Sequence, residues 1–596
     1  MRRQLAALGW RAVLAAVLVC GIGLLPWLTR TDPALTVLKA RSAERAPTPE
    51  VLADIRAQLG LDQGPFHLVG QWLGGLWRGD AGRSWLSGGE VTPAVLQALG
   101  VSLLLMAVAL AVATGTAGLV CARTLWLGAH RRLDGRRATG SGSAVLAALP
   151  EFLTASVLAT VVGVQLGWLP ALGWYGPQWT VLPALALGLP AGAVVGRLLD
   201  DLLPGAFAEP WALAAAARGL PGRSIARQAV RRCLPGLLPN LGLFVVGLTG
   251  GAVAVEQIFD IPGLGRTTLQ AALAQDLPVL QAGTLALLLL AAAATALAAL
   301  AARLLVGPAL RDGALTSLHR PTPPARRILP CVYGGLLLGV VAFGLPRDPL
   351  ALDTGRRLRP PSWTHPFGTD ALGRDLLARV AHGALDTLLL ALAIGAATLL
   401  TGVVLGLLPR LSGPLVDTVN AVPPVLLALL VTAVAGSGSA TPALAVGAVA
   451  WAPLAAHTSA LLRQERAALH VTATRGLGAN RRYLLRHELL PAVLPPVTRH
   501  ALLRLPGIAL ALASLAFLGL GAQPPSPEWG LLLAENQPYA ERAPWAVLAP
   551  AAVLALLGAF AVSAAGGVRR PRRARPHRSE AAPEQPSPTR ELAETR

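Results

Sequence analysis

The chain has 596 residues, 54% of them hydrophobic and only 14% charged, with a mean hydropathy of +0.56. A soluble surface draws on about 25% charged residues, so a water-soluble fold is excluded, and with it a wholly disordered chain or a disulfide-stapled secreted scaffold. The 51 basic and 31 acidic residues leave +20 at pH 7. Aromatics are 5% and the arginines sit in short patches between apolar runs, a pattern of membrane loops and not of a nucleic-acid partner.

Crossing about 30 Å of hydrocarbon takes about 20 apolar residues at 1.5 Å each. Runs that meet this length lie near 5–28, 98–122, 143–167, 179–199, 237–258 and 279–306, then near 328–346, 387–409, 417–436, 442–462, 498–521 and 545–565. The first run carries Leu18-Val19-Cys20 but no small residue ahead of the cysteine and no A-x-A site, so it reads as a retained anchor. The four cysteines are dispersed and read as small apolar residues.

Loop charge alternates along the chain. Segments 123–137, 202–236 and 303–327 each hold five arginines against one acidic residue, and 462–497 holds six against two. Segment 29–96 is balanced at seven against seven, and 256–278 and 522–545 are net acidic. The positive-inside rule then places the basic loops and both termini in the cytoplasm. Residues 307–327, with Arg320-Pro321-Thr322-Pro323-Pro324, read as a cytoplasmic linker between two halves, 1–306 and 328–568. The remainder, 569–596, reads as a basic, disordered tail.

The halves repeat. A shift of 259 superposes Gly219 on Gly478, Arg223 on Arg482 and Arg227 on Arg486, and Gly263-Leu264-Gly265 precedes Gly519-Leu520-Gly521 by 256. Six helices per half keep such repeats parallel, with a pathway between them. No HExxH or nucleophile motif is present. Lys39 is the only lysine, so the phosphate-binding loop of an ATPase, which needs a lysine within its Gly-rich turn, is missing.

The basic loops near 202–236 and 462–497 are the most informative. Each offers a short helix of small residues, Trp211–Ala217 or Leu469–Thr474, stopped by glycine and followed by an Arg-bearing helix that reaches Pro235 or Pro491. These loops resemble the coupling loops of ABC importer permeases. The flanking motifs resemble those of the dipeptide/oligopeptide/nickel permease family. In the first half they are Gln58-Leu59-Gly60-Leu61-Asp62, Gly79–Ser84 and Phe259–Arg266. In the second they are His365-Pro366-Phe367-Gly368-Thr369-Asp370-Ala371-Leu372-Gly373-Arg374-Asp375 and Phe517–Pro525 with Glu528-Trp529-Gly530. The chain looks like a fusion of the family's two permease subunits. The glutamate that names the loop is absent from both copies, where Leu213 and Thr472 stand.

The resemblance implies an all-α, polytopic integral membrane protein with about twelve transmembrane helices in two homologous six-helix halves, in a bacterial cell membrane. It implies two ATP-binding-cassette subunits, or a fused pair, carrying ATP and Mg, and an extracytoplasmic solute-binding protein. No cofactor is expected in this chain. Ala214, Ala215, Gly219, Ala473 and Gly478, with Arg223, Arg227, Arg482 and Arg486, are the expected coupling positions. Gly263, Gly265, Gly368, Thr369, Asp370, Gly373, Arg374, Asp375, Gly519 and Gly521 carry the outside-loop motifs; Asp370, Arg374 and Asp375 either meet the binding protein or pair among themselves. Glu151 is a carboxylate opening a membrane segment, expected to reach the cytoplasmic edge. The other transport reading, an ion-gradient-driven carrier, would call for polar groups at mid-membrane, which the sequence largely lacks.

Overall fold

The computed structural model describes residues 13, 16–29, 32–41, 46–133, 142–306, 328–420, 423–436 and 438–567. The expected linker and tail lie outside the described residues. Everything described is helix, turn or loop apart from two isolated β-bridges, as a lipid-embedded backbone that must satisfy its own hydrogen bonds requires.

Among the described residues, seven helices are long and apolar enough to cross a membrane: Val91–Ala129, Pro177–Phe207, Leu277–Ala298, Leu376–Gly406, Ala440–Arg466, Arg481–Phe517 and Pro544–Ala564. The expected run 237–258 falls within helix Gly222–Ile258, and the run 328–346 is helix Ile328–Gly344. Two expected runs are not continuous helices. The run 143–167 breaks into Gly142–Leu146 and Glu151–Gln165, and 417–436 breaks into Pro409–Asn420 and Pro424–Ala435. Pro150 and Pro423 are the causes: each sits in extended geometry as the N-cap of the piece that follows, and proline cannot continue the preceding turn.

The halves pack reciprocally through these broken segments. Pieces Gly142–Leu146 and Glu151–Leu158 lie against Pro544–Gly567, the last helix of the second half. Pro424–Ala435 lies against Leu277–Val306, the last helix of the first half. Phe152 and Phe517 meet across the seam with ring centroids 5.8 Å apart, and one hydrophobic core runs from Ile22 through Leu557. Within the first half, Gly188, Gly192 and Gly196 let helix Val181–Phe207 press on Val91–Ala129. A Cβ at Gly192 would stand 2.4 Å from the Ala113 carbonyl oxygen. This is small-residue packing suited to a bilayer, where apolar burial alone drives little association.

Candidate functional site

The first of the two expected coupling helices, Pro210–Ala217, starts at Glu209 and stops at Gly219, whose φ is +74°. Gly219 N–H donates to the Ala216 carbonyl (3.0 Å) and Leu220 N–H to that of Ala215 (3.2 Å). The second, Leu469–Gly476, repeats the stop residue for residue: Gly478 has φ +91°, its N–H donates to Arg475 (3.0 Å), and Ala479 N–H donates to Thr474 (3.3 Å). Both are left-handed glycine caps, a geometry a side chain would strain.

Inward faces hold these helices in place. Ala212 and Ala215 are buried where their helix meets Val181–Phe207 and Gly222–Ile258, and Val471 packs with Leu462, Leu484 and Leu489. Ala215, one of the expected coupling positions, is thus on the inward face. Ala214, Ala473, Gly219, Gly478, Arg223, Arg227, Arg482 and Arg486 are all exposed. So are Leu213, Leu469 and Leu477, at 53%, 87% and 89%. Such apolar tips set among arginines form a surface suited to a partner's groove.

Other glutamates tie each loop down, contacts that the sequence did not reveal. Glu209 takes a two-pronged ion pair from Arg232 (2.7 and 3.0 Å) and a hydrogen bond from Trp211 Nε1 (2.8 Å), tying the first coupling helix to the helix that follows. In the second loop Glu488 plays this part from the other side, facing His470 (3.6 Å) and accepting from Thr474 Oγ1 (3.5 Å).

Both coupling helices lie on one face. Helices Gly222–Ile258 and Arg481–Phe517 each run from a coupling loop to a Gly-Leu-Gly turn at the far end. Those far ends meet across the seam, where Leu273 reaches Gly519 and Gln275 Nε2 donates to the Thr432 carbonyl (3.5 Å).

At that far face each half closes a clasp. A single β-bridge, Arg83 with Glu90 or Thr369 with Asp375, leads directly into the long helix that follows. In the second half, Asp370 Oδ2 faces Arg374 Nε (2.7 Å) and Arg379 Nη1 (3.0 Å), and Glu535 Oε2 takes the same arginines at 3.2 and 2.8 Å. Asp375 caps helix Leu376–Gly406 through Leu377 N–H (2.8 Å) and pairs with Arg347 (2.7 Å). Thr369 is buried and bonded to Arg359 N–H (2.9 Å). Gly373, at φ +79°, has no room for a Cβ, which would stand 1.8 Å from the Asp353 carbonyl oxygen, and Gly368 has φ +77°. Asp370 and Arg374 thus pair with each other, while Asp375 pairs with Arg347 and His365. In the first half, Asp276 accepts from Ser84 Oγ and from Trp85 N–H (3.1 Å). Glu535 stands 259 residues after Asp276, the offset of the coupling loops.

The Gly-Leu-Gly turns cradle carboxylates. Glu256, fully buried, accepts from Ser102 Oγ (2.5 Å) and Arg266 N–H (2.9 Å), while Leu264 N–H donates to Ser102 (2.8 Å). Gly263 and Gly265 make the room: a Cβ on Gly263 would fall 2.2 Å from the Glu256 carboxyl carbon. In the second half Glu528 approaches Gly521 and the Ala522 N–H, with Gly519 at φ +77°. Burial pushes Glu528 up to about 7, the Asp386 charge adding to it and the Ala522 hydrogen bond opposing it. A carboxyl raised above its ordinary 4.5 contributes stability fully below that value and loses it as pH climbs through about 7. The melting temperature of the purified chain is expected to fall between pH 5.5 and 8, and less so in Glu528→Gln; equal slopes would deny the effect.

Glu151 is not at a basic edge. Its side chain packs on Gly251, seven residues before the end of helix Gly222–Ile258, while Pro423 flanks the adjacent Gly250 from the other half. The carboxylate thus sits among helices, where the two halves adjoin.

Residues 114–308 and 390–572, together more than half of the chain, match the family described as binding-protein-dependent transport system inner membrane component. The chain is 38% identical over 208 residues to the di/tripeptide transport system permease protein DppC of Pseudomonas aeruginosa, covering 33% of this chain and 69% of the relative. It is 33% identical over 268 residues to a putative peptide transport system permease protein of Brucella abortus, covering 42% and 80%. To the probable D,D-dipeptide transport system permease protein DdpC of Escherichia coli it is 34% identical over 203 residues, covering 32% and 67%. Two matched segments, one in each structural half, account for the reciprocal architecture: the chain belongs to the binding-protein-dependent transport system inner membrane component family and joins two of its permease units in one polypeptide.

Proposed function

We propose that this chain is the complete translocation unit of an ATP-driven importer of peptides. Two ATP-binding-cassette subunits, or one fused pair, seat on Pro210–Ala217 and Leu469–Gly476, and ATP and Mg belong to those partners. An extracytoplasmic solute-binding protein delivers cargo to the clasp face, and both termini lie on the cassette side. ATP binding draws the cassettes together, the coupling helices carry the displacement, and the seam opens alternately to each side. The observation that carries this reading is the pair of matched glycine-capped helices on one face. That the relatives are peptide and dipeptide transport permeases favours peptides over nickel chelates as cargo.

The test is Gly219→Val with Gly478→Val, which forces β-branched residues into left-handed geometry. Cassette co-purification and ATP-dependent uptake in proteoliposomes are expected to fall at least about tenfold, a loss of about 1.4 kcal/mol in coupling. Unchanged values at both sites would remove the coupling assignment. Uptake driven by an ion gradient without cassettes would establish the secondary-carrier reading instead.

A further inference from the structure

Helix Pro65–Trp77, on the far face, has three distinct edges. Val69, Trp72 and Leu76 turn toward the protein. His67, Gln71 and Arg78 form an exposed polar edge, where His67 and Gln71 share a hydrogen bond of 2.7 Å. Between them Phe66, Gly70, Leu73 and Trp77, spaced four, three and four residues apart, form an apolar edge that the described residues leave open: Phe66 is 90% exposed, Leu73 38% and Trp77 94%. Helical periodicity puts these four within about 60° of one another.

Depth identifies what covers that edge. Trp72 and Val69 press on Gly23, where a Cβ would stand 3.0 and 3.4 Å from them. Gly23 lies five residues before Leu28, the last helical residue of the first apolar run, about 7 Å along it at 1.5 Å per residue. The same level is fixed independently by Gln281 Nε2, one turn into the last helix of that half, which donates to the Ile22 and Gly23 carbonyls (2.9 and 3.2 Å). Trp27 and Leu28, 59% and 41% exposed, carry the same lipid-facing surface upward.

We propose that Pro65–Trp77 lies in the plane of the outer leaflet, with its Phe66–Leu73–Trp77 edge against acyl chains and its His67–Gln71–Arg78 edge among headgroups. This is an interfacial helix that braces the first span from the side. Its aromatic ends sit where amphipathic rings favour the membrane boundary. The inference rests on the chain's being membrane-embedded and not on what it transports.

Spin labels test it. Cys20 and Cys331 are exposed and Cys121 and Cys233 buried, so a Cys20→Ala/Cys331→Ala background in lipid nanodiscs accepts single probes at Phe66→Cys, Leu73→Cys, Trp77→Cys and Gln71→Cys. Leu119→Cys, on the 79% exposed flank of helix Val91–Ala129, reports the lipid reference. Labels at 66, 73 and 77 are expected to collide several times more often with oxygen than with a water-soluble nickel chelate, as at 119, with the ratio reversed at 71. If 119 reads as lipid while 66, 73 and 77 match 71, the edge stands in water, open to a protein partner, and the proposal is overturned. If 119 itself reads as aqueous, the membrane reading falls first.

Discussion

Replacing Arg379 with methionine is expected to destabilise the second half by about 3–5 kcal/mol, the cost of stranding a buried charge. Arg379 is fully buried and pairs at once with Asp370, 2% exposed, and with Glu535, 20% exposed; Arg374, 6% exposed, is the only other cation in the cluster. Two positive and two negative groups balance, and removing one leaves a net negative charge beneath the second outer helix, Trp529–Asn536. Arg379 also donates to the Ser526 carbonyl (3.1 Å), so the loop before that helix loses an anchor as well. Thermal unfolding in detergent reads the loss. Adding Asp370→Asn to Arg379→Met restores neutrality and is expected to recover part of it, a coupling that a double-mutant cycle measures. A single variant within about 1 kcal/mol of the native chain would show that packing, and not charge, holds this face.

Glu256→Ala is the second large effect. The carboxylate takes the Arg266 N–H directly and the Leu264 N–H through Ser102, so it serves the free amides at the start of the first outer helix, Leu264–Leu273. Each buried donor left without an acceptor costs about 1–3 kcal/mol, and the Arg266 N–H and the Ser102 hydroxyl both lose theirs. Hydrogen exchange in residues 264–273 is expected to quicken sharply and uptake to fall, while cassette co-purification stays native because the coupling helices are at the opposite face. Glu256→Gln keeps an acceptor and is expected to behave more mildly. Native exchange rates in Glu256→Ala would mean that the cradle contributes nothing to the outer helix.

Local pattern made part of this legible. The glycine stops at 219 and 478 are visible because a helix of small residues must end somewhere, and glycine ends it. Apolar runs located the seven helices long enough to span a membrane among the described residues. What escaped were partnerships across long separations. Glu535 meets Arg374 and Arg379 from about 160 residues away, and no periodicity marks it. Glu209 stands one turn ahead of the position where a coupling glutamate was sought, and only the fold shows that it reaches Arg232. Glu256 did leave a trace, as a lone carboxylate in the run 237–258, which is by default a sign of a role inside the membrane. Apolar length also misled at Pro150 and Pro423: hydropathy counts residues but does not register a proline that breaks the helix they would form.

The reciprocal packing of the broken segments bears on how such a transporter could be encoded and assembled. Each half contributes a piece that only the other can receive: Glu151 and Phe152 on one side, Pro423 and Pro424 on the other. Severing the polypeptide between residues 306 and 328 should leave two products that still find each other, because their recognition is written in the bilayer and not in the tether. Doubling either product cannot replace its mate, so expression as one continuous chain sets a one-to-one stoichiometry.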